Sequence, residues 1–565
     1  MIIDILSKVL SDVANSLGYD IDMNVIKSNR PDLCDYQCDQ VFALAKKYHK
    51  NPIEIGEGIV AKLREIPDFD NYFSNVEFCK PGFINLTLSN KFINDMLKKM
   101  ANEEKFGISK PDKIDTYVID YGGPNIAKPL HVGHIRPAII GESIKRIISY
   151  VGHKTIADVH LGDIGLPIGE VIYAIKKDNL SVDDITLDYL NKVYPMMSAK
   201  VKEDESLKSE CAAIIKEVQE GKNYLDYWKK ICEVSLNDIK RLYKYLDVSF
   251  DYWLSESDAY SYIPKVKQYL LDKNLLKDSM GAKVVFINKE GDKVNYPPLI
   301  FEKSNGAYLY ESSDLGTIYQ RMQDFNPDYI LYVTDQRQEL HFKQVFRVCE
   351  LSGLSGNAHL LHLPHGTING LDGKPYKTRS GETPKMDDLF NDVKNIFISK
   401  KESNKNMSES DIDKIVNSIL KFADLQNGRD RDYIFDINKF SETTGKTGPY
   451  ILYTYLRMNK IVEKYESNIN NLSEKIYNNY DRDLRICLLG LENSIQNSFK
   501  EFKPNYIADY VYNLSVIMNS FYQNNHIALL NDETNINDWI SIIKLANKVI
   551  KEMLNLLIIN IPTEM

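Results

Sequence analysis

Residues 116–159 read TYVIDYGGPNIAKPLHVGHIRPAIIGESIKRIISYVGHKTIADV. Tyr117-Val118-Ile119 is a short run of aromatic and β-branched residues, the composition of a strand. Gly122-Gly123-Pro124-Asn125 ends it with turn chemistry. The spacing then predicts a helix from near Leu130, with Ile135, Ile139, Ile140, Ile144, Ile147 and Ile148 on its buried side and Gly152 as its stop. Thr155–Val159 forms a second strand. Strand, loop, helix and strand within about 45 residues make a βαβ unit, hence a parallel sheet with a right-handed crossover.

Toward the C-terminus, residues 171 to about 300 are predicted largely helical, are heavily charged, and read as an insertion. The strand pattern resumes at Tyr329–Val333, followed by a helix to about Leu351 and a strand at Leu360–Leu363, so the sheet is split in sequence. Residues 371–383 form a Gly- and Lys-rich loop, and the hydrophilic run 399–410 separates it from a helical remainder. Toward the N-terminus, helical spacing runs from Ile2 to Leu17 and stops at Gly18. A second helix covers Val41–Tyr48, Phe83–Leu88 alternates as a half-buried strand, and 101–113 reads as a linker. The expected fold class is α/β: a Rossmann-type parallel-sheet domain (113–400, insertion 171–300), a small α+β domain (1–112) and an all-α domain (401–565).

The chain has 565 residues, 43% hydrophobic and 26% charged, which excludes wholesale disorder. A net charge of −9 argues against a wholly basic nucleic-acid surface but leaves local patches open. Seven scattered cysteines argue against a disulfide framework and for a reducing compartment. The opening MIIDILSKVL lacks a basic n-region, and no uncharged apolar run approaches membrane-spanning length, so a cytoplasmic protein is expected. Cys34 and Cys38 have i, i+4 spacing, but only Cys79 and His49 stand as further ligands, so two structural thiols and no zinc are expected.

His131-Val132-Gly133-His134 falls at the start of the helix that follows the first strand. Unpaired N–H groups and the helix dipole attract phosphate there. Two histidines three apart share a face, and Gly133 lets a flat base approach the backbone. An isolated pair of this kind is commonly a surface feature; the strand–turn–helix context favours a nucleoside triphosphate cradle.

The full stretch Asp120 to His134, DYGGPNIAKPLHVGH, resembles the nucleotide-binding signature of class I aminoacyl-tRNA synthetases, and its PNIAKPLHVGH form resembles the arginyl members. Further matches follow in order: Leu161-Gly162-Asp163-Ile164-Gly165, with Ile164 where the family has Trp; Tyr310-Glu311-Ser312-Ser313-Asp314; Arg337-Gln338-Glu339-Leu340-His341-Phe342; Asp432–Asp436; Thr447–Tyr450; and the ending Ile561–Met565. The resemblance is weakest before residue 112 and within 171–300. It implies an arginine–tRNA ligase that uses ATP with Mg²⁺ and acts on L-arginine and tRNA(Arg); a monomer is expected.

Charge logic agrees with arginine, because a guanidinium needs carboxylate acceptors and planar neighbours. Asp120, placed just after the first strand, and Asp314 offer acceptors, with Tyr310 beside them. By resemblance, Asn125 and Gln338 hold the α-amino and α-carboxylate groups, His131 borders the amino acid, and Pro124, Asn125, His131, Gly133 and His134 meet ATP. The basic loop at Lys374–Gly381 suits a mobile clamp on triphosphate. It takes the place of the family's KMSKS loop but departs from it, with Tyr376 and Arg379 at the two lysine positions. Lys377, Thr378, Arg379 and Ser380 are its expected ATP contacts, and Lys128, before the histidine pair, is thought to compensate for the missing lysine. In the C-terminal region Tyr450, Tyr453 and Arg457 share a helical face and Tyr522 follows. Such a stripe is either core or a stacking surface for unpaired bases. The resemblance assigns these residues and the terminal Met565 to tRNA.

Overall fold

The computed structural model describes residues 2–377, 384–400, 406–465, 472–473, 475–530 and 532–565. Its centre is a parallel sheet of β1 (Thr116–Tyr121), β2 (Lys154–Asp158), β3 (Tyr329–Val333) and β4 (His359–His362), in spatial order β4-β3-β1-β2. Alternation along the strands sorts the two faces, since successive side chains point to opposite sides. Ile119, Tyr121, Leu331 and Val333 pack toward α1 (Ile135–Val151) in the main core. Val118, Ile156, Ile330 and Tyr332 belong to a second core.

The first strand is longer than its apolar run: Asp120 is not beyond the strand but inside it, opposite Tyr332 and Asp158. Between β2 and β3 the chain forms α2 (Leu166–Lys177), α3 (Leu187–Glu203), α4 (Glu205–Gln219) and α5 (Leu225–Tyr245). The stretch predicted as helical also holds a three-stranded antiparallel sheet, Leu276–Ser279, Ala282–Val285 and Leu299–Glu302. Helices α6 (Tyr310–Asp324) and α7 (Glu339–Ser352) then supply Leu315, Ile318, Val345 and Val348 to the second core.

The C-terminal region is built on α8 (Glu409–Leu425), α9 (Gly448–Val462), α10 (Asn505–Asn525) and α11 (Glu533–Leu556). Helix α8 is buried on nearly every side, so it acts as a central post. Arg136 of α1 is fully buried and pairs with Asp424 of α8 at 3.4 Å, with the Tyr433 ring 5.2 Å away. The end of α11 is fastened to the same post and to α1. Ser143 Oγ donates to Leu556 O at 2.7 Å, Arg146 to Asn555 O at 3.0 Å, and Lys421 Nζ to Ile558 O at 2.8 Å. Burial lowers the Lys421 pKa to about 7. At the other end, the N-terminal four-stranded sheet docks on the helical region through Arg482, whose Nη1 and Nη2 reach Asp35 at 2.7 and 2.8 Å.

Candidate functional site

The site lies at the carboxyl ends of the parallel strands, where open α/β sheets bind ligands. After β1 the chain runs through Gly122–Asn125, laced to the segment after β2 by Ile126 N–H to Gly162 O (2.8 Å) and Gly162 N–H to Pro124 O (3.1 Å). Pro124 is buried and Asn125 is exposed at this seam.

The predicted helix start at Leu130 shifts. His131 is a cap residue, Val132–His134 form a 3₁₀ turn, and α1 begins at Ile135. The reason is a reciprocal cap: Gly133 N–H donates to His131 Nδ1 at 3.1 Å and His131 N–H to His134 Nδ1 at 3.0 Å. With both Nδ1 atoms accepting, each neutral imidazole carries its proton on Nε2. The rings sit 4.0 Å apart. Burial and the Lys128 charge lower the His131 pKa, and burial with His131 beside it takes His134 down to about 3. The pair is therefore uncharged at neutral pH. Gly133 is exposed on the open side, and a Cβ there would meet the His131 ring at 2.9 Å.

The basic loop returns to this turn. Met386 N–H donates to Leu130 O at 3.0 Å and Val132 N–H to Pro384 O at 3.2 Å. Its outgoing arm is anchored by Tyr376, whose N–H donates to Ile368 O at 2.9 Å, which leaves Lys377 exposed. Thr378, Arg379 and Ser380 lie outside the described residues.

A second, acidic cluster lies where α6 and α7 begin. Asp314 hydrogen-bonds His341 Nε2, and Glu311 lies 3.7 Å from His341 Nδ1. Burial opposes the His341 charge, yet the bonds to Asp314 and Glu311 outweigh it and raise its pKa to about 9. Glu256, which the sequence reading missed, belongs here. Burial, then the charges of Asp314 and Asp163, push its carboxyl up to about 8, while burial, and after it the Glu256 charge, raises Tyr310. No local pattern marks Glu256, because Ser255-Glu256-Ser257-Asp258 looks like an ordinary helix cap, and Ser255 with Asp258 does form one. Tyr310 is 60% exposed at the mouth, and Gln338, after β3, is exposed on the same edge.

Asp120 departs from the sequence reading. Its Oδ2 accepts from Arg321 Nη2 of α6 at 2.7 Å, and Arg321 also reaches Asp158 at 2.7 Å. A resident guanidinium already occupies that oxygen, so Asp120 is a partner of Arg321 before it is an acceptor for any ligand. His359 stacks on Tyr329 and His362 on Phe342, as structural histidines do. Cys34 and Cys38 are buried in the N-terminal domain, where burial pushes Cys38 up to about 11.

On the helical region, Tyr453 is 42% exposed on α9 and the Arg457 guanidinium lies 4.9 Å over the Tyr522 ring. Tyr450 turns inward instead: its Oη accepts from Asn519 at 3.0 Å and its ring packs on Tyr512. Met565 packs partly buried against the main core.

Comparison with known proteins adds three family matches: tRNA synthetases class I (R), catalytic domain, over residues 95–437; DALR anticodon binding domain over 451–565; and arginyl tRNA synthetase N terminal domain over 1–88. The arginine–tRNA ligase of Alkaliphilus oremlandii is 38% identical, with 100% of both chains covered. That of Agathobacter rectalis is 36% identical over the same extent. Among solved structures, the arginyl-tRNA synthetase of Plasmodium falciparum superposes with a TM-score of 0.84 at 26% identity, covering 100% of this chain and 99% of that one. The Thermus thermophilus arginyl-tRNA synthetase shares the fold, with a TM-score of 0.82, 18% identity and 100% of both chains covered.

Proposed function

This chain belongs to the arginyl-tRNA synthetases of class I, and from that premise we propose how its residues divide the work of charging tRNA with arginine. The family reaction consumes ATP and arginine. The arginine carboxylate oxygen forms a bond to the α-phosphorus, the bond to pyrophosphate breaks, and the arginyl group then passes to the 3′-terminal adenosine of tRNA(Arg) with release of AMP.

One observation carries the residue-level reading: a neutral, capped histidine pair following β1 and an acidic cluster at the start of α6 and α7 both stand at the carboxyl ends of the parallel strands. His131 and His134 present fixed Nε2–H groups to the phosphates. Donors held in place before the reaction stabilise charge developing at phosphorus without reorganising. Lys128 and Lys377 add positive charge, with Thr378, Arg379 and Ser380 expected from the loop, and Pro124, Asn125 and Gly133 floor the nucleotide. These nucleotide-side groups are neutral or cationic, so Mg²⁺ travels with the triphosphate and no zinc is required. Asp314, with Tyr310 and Glu256 around it, takes the guanidinium; Asn125 and Gln338 take the α-amino and α-carboxylate groups. Asp120 acts through its second oxygen, oriented by Arg321. Tyr453, Arg457 and Tyr522 face the tRNA anticodon loop, with Tyr450 and Met565 buttressing them. The units 1–112, 113–400 with its insertion 171–300, and 401–565 bind tRNA, form adenylate and read the anticodon. The full constellation sits in one chain, which fits a monomer, and among the described residues no helix is long and apolar enough to cross a membrane, which fits a cytoplasmic enzyme.

The test is amino-acid-dependent ATP–pyrophosphate exchange with arginine, lysine and citrulline. Asp314→Asn is expected to lose arginine activation by about 2–5 kcal/mol, the cost of truncating one side of a buried charged pair, with KM for ATP unchanged. Wild-type kcat/KM for arginine in that variant would place the guanidinium elsewhere.

A further inference from the structure

Lys128 has a seat that the described mechanism does not use. Ala127 before it adopts φ +66, a left-handed conformation that alanine avoids, and its N–H is pinned to Ser235 Oγ of α5 at 3.2 Å. That backbone sends the Lys128 side chain toward α3, where its Nζ lies 5.5 Å from the Tyr194 ring centroid, within cation–π reach. On α2, Glu170 is buried and one of its carboxyl oxygens has no hydrogen-bond partner; burial raises its pKa, and the charges of Lys128 and Lys202 pull against that rise. A buried carboxylate oxygen without a donor is costly unless a cation answers it. Glu170 has little freedom to move away. The preceding Gly169 packs so closely on α4 that a Cβ there would lie 2.2 Å from Cys211 O.

Resting on the reading of Lys128 as a catalytic cation, we propose that Glu170 and Tyr194 are positioning residues that hold the Lys128 ammonium beside His131 and His134. Lysine is a point charge on a four-carbon stem with many rotamers, so a cation required at one place needs fixing from outside. An aromatic face on one side and a carboxylate on the other do this, and both come from the helices that follow β2. Those helices thus act on the phosphate site through Lys128. Lys128 also bears on both imidazoles, since its charge helps keep them neutral.

The experiment is ATP–pyrophosphate exchange in the presence of tRNA, reading kcat and the KM values for ATP and arginine. Lys128→Met is expected to lower kcat by about 10²–10³, as loss of a charge-stabilising group does. Glu170→Gln and Tyr194→Leu should each lower kcat by about tenfold with KM for arginine unchanged, and Tyr194→Phe, which keeps the ring face, should recover most of the loss. The decisive arm repeats Glu170→Gln and Tyr194→Leu in a Lys128→Met background, where neither should have any further effect. Additive losses in that background would mean the two residues merely hold the fold, and the proposal would fall. Full kcat in Lys128→Met alone would remove the underlying reading of Lys128, and this one with it. Tyr194 sits part-exposed on α3, so its variants keep the test open should Glu170→Gln fold poorly.

Discussion

His134 works as a histidine that never charges. Its folded pKa, about 3, lies below the ordinary 6.5, so between those values the unfolded chain holds more protons than the native one. The stability it contributes is full above pH 6.5 and is lost as pH falls toward 3. Urea midpoints measured between pH 7 and 4 should decline less steeply in His134→Gln than in the wild type. In catalysis, His131→Ala and His134→Ala should each slow adenylate formation by about 10²–10³ while tRNA still binds; near-normal exchange in both would take the pair out of the chemistry. His341 has the opposite sign. Its pKa of about 9 keeps it protonated against Asp314 at neutral pH, and under the proposed assignment of Asp314 a substrate guanidinium competes with that charge. Arginine KM should therefore fall as pH rises from 7 to 9, by at most about tenfold per pH unit if one proton leaves on binding. His341→Asn should flatten the profile; an unchanged slope would show that arginine does not displace this proton.

Among the elements, those that bury a continuous stripe were the legible ones. The helix Val41–Tyr48 and the strands Phe83–Leu88 and Tyr329–Val333 fall where periodicity puts them, because each turns an unbroken apolar pattern toward a core. The start of α1 was misplaced because its cap is made by histidine side chains, which apolar spacing cannot register. The short sheet of Leu276–Ser279, Ala282–Val285 and Leu299–Glu302 hid within a charged stretch, since strands of four residues carry too few alternations to outweigh their neighbours. In the site, the histidine turn and Asp314 were readable as motifs. Glu256 and His341 owe their roles to tertiary neighbours on other elements, and the pairing of Asp120 with Arg321 spans 201 residues. The α9–α10 surface divides similarly. Tyr453 keeps an exposed ring, Tyr522 is partly buried beneath the Arg457 guanidinium, and Tyr450 is taken by Asn519. Tyr522→Ala and Arg457→Ala should weaken tRNA binding by about 1–3 kcal/mol if a base stacks there, read as KM for tRNA in aminoacylation. A lowered melting temperature with KM unchanged would instead make this surface core.

Across the whole molecule, the catalytic and helical regions share their buried charges. Arg136 and Asp424 come from α1 and α8 and are both fully enclosed, so removing one partner strands the other. Asp424→Ala should cost about 3–5 kcal/mol in chemical denaturation, while replacing both partners with apolar residues of similar size should cost far less. Equal losses in the single and double variants would show that shape, not charge, matters at this junction. The fastening of α1 to the end of α11 has a consequence for how the protein is made. Ser143 finds its acceptor at Leu556, 413 residues later. At ribosomal rates that is roughly 20–80 s of synthesis. Throughout that interval the nascent nucleotide site stands on a helix whose last fastenings have not been translated, so a stop codon before Asn555 would release a chain that keeps the histidine turn and the basic loop with no completed floor beneath them.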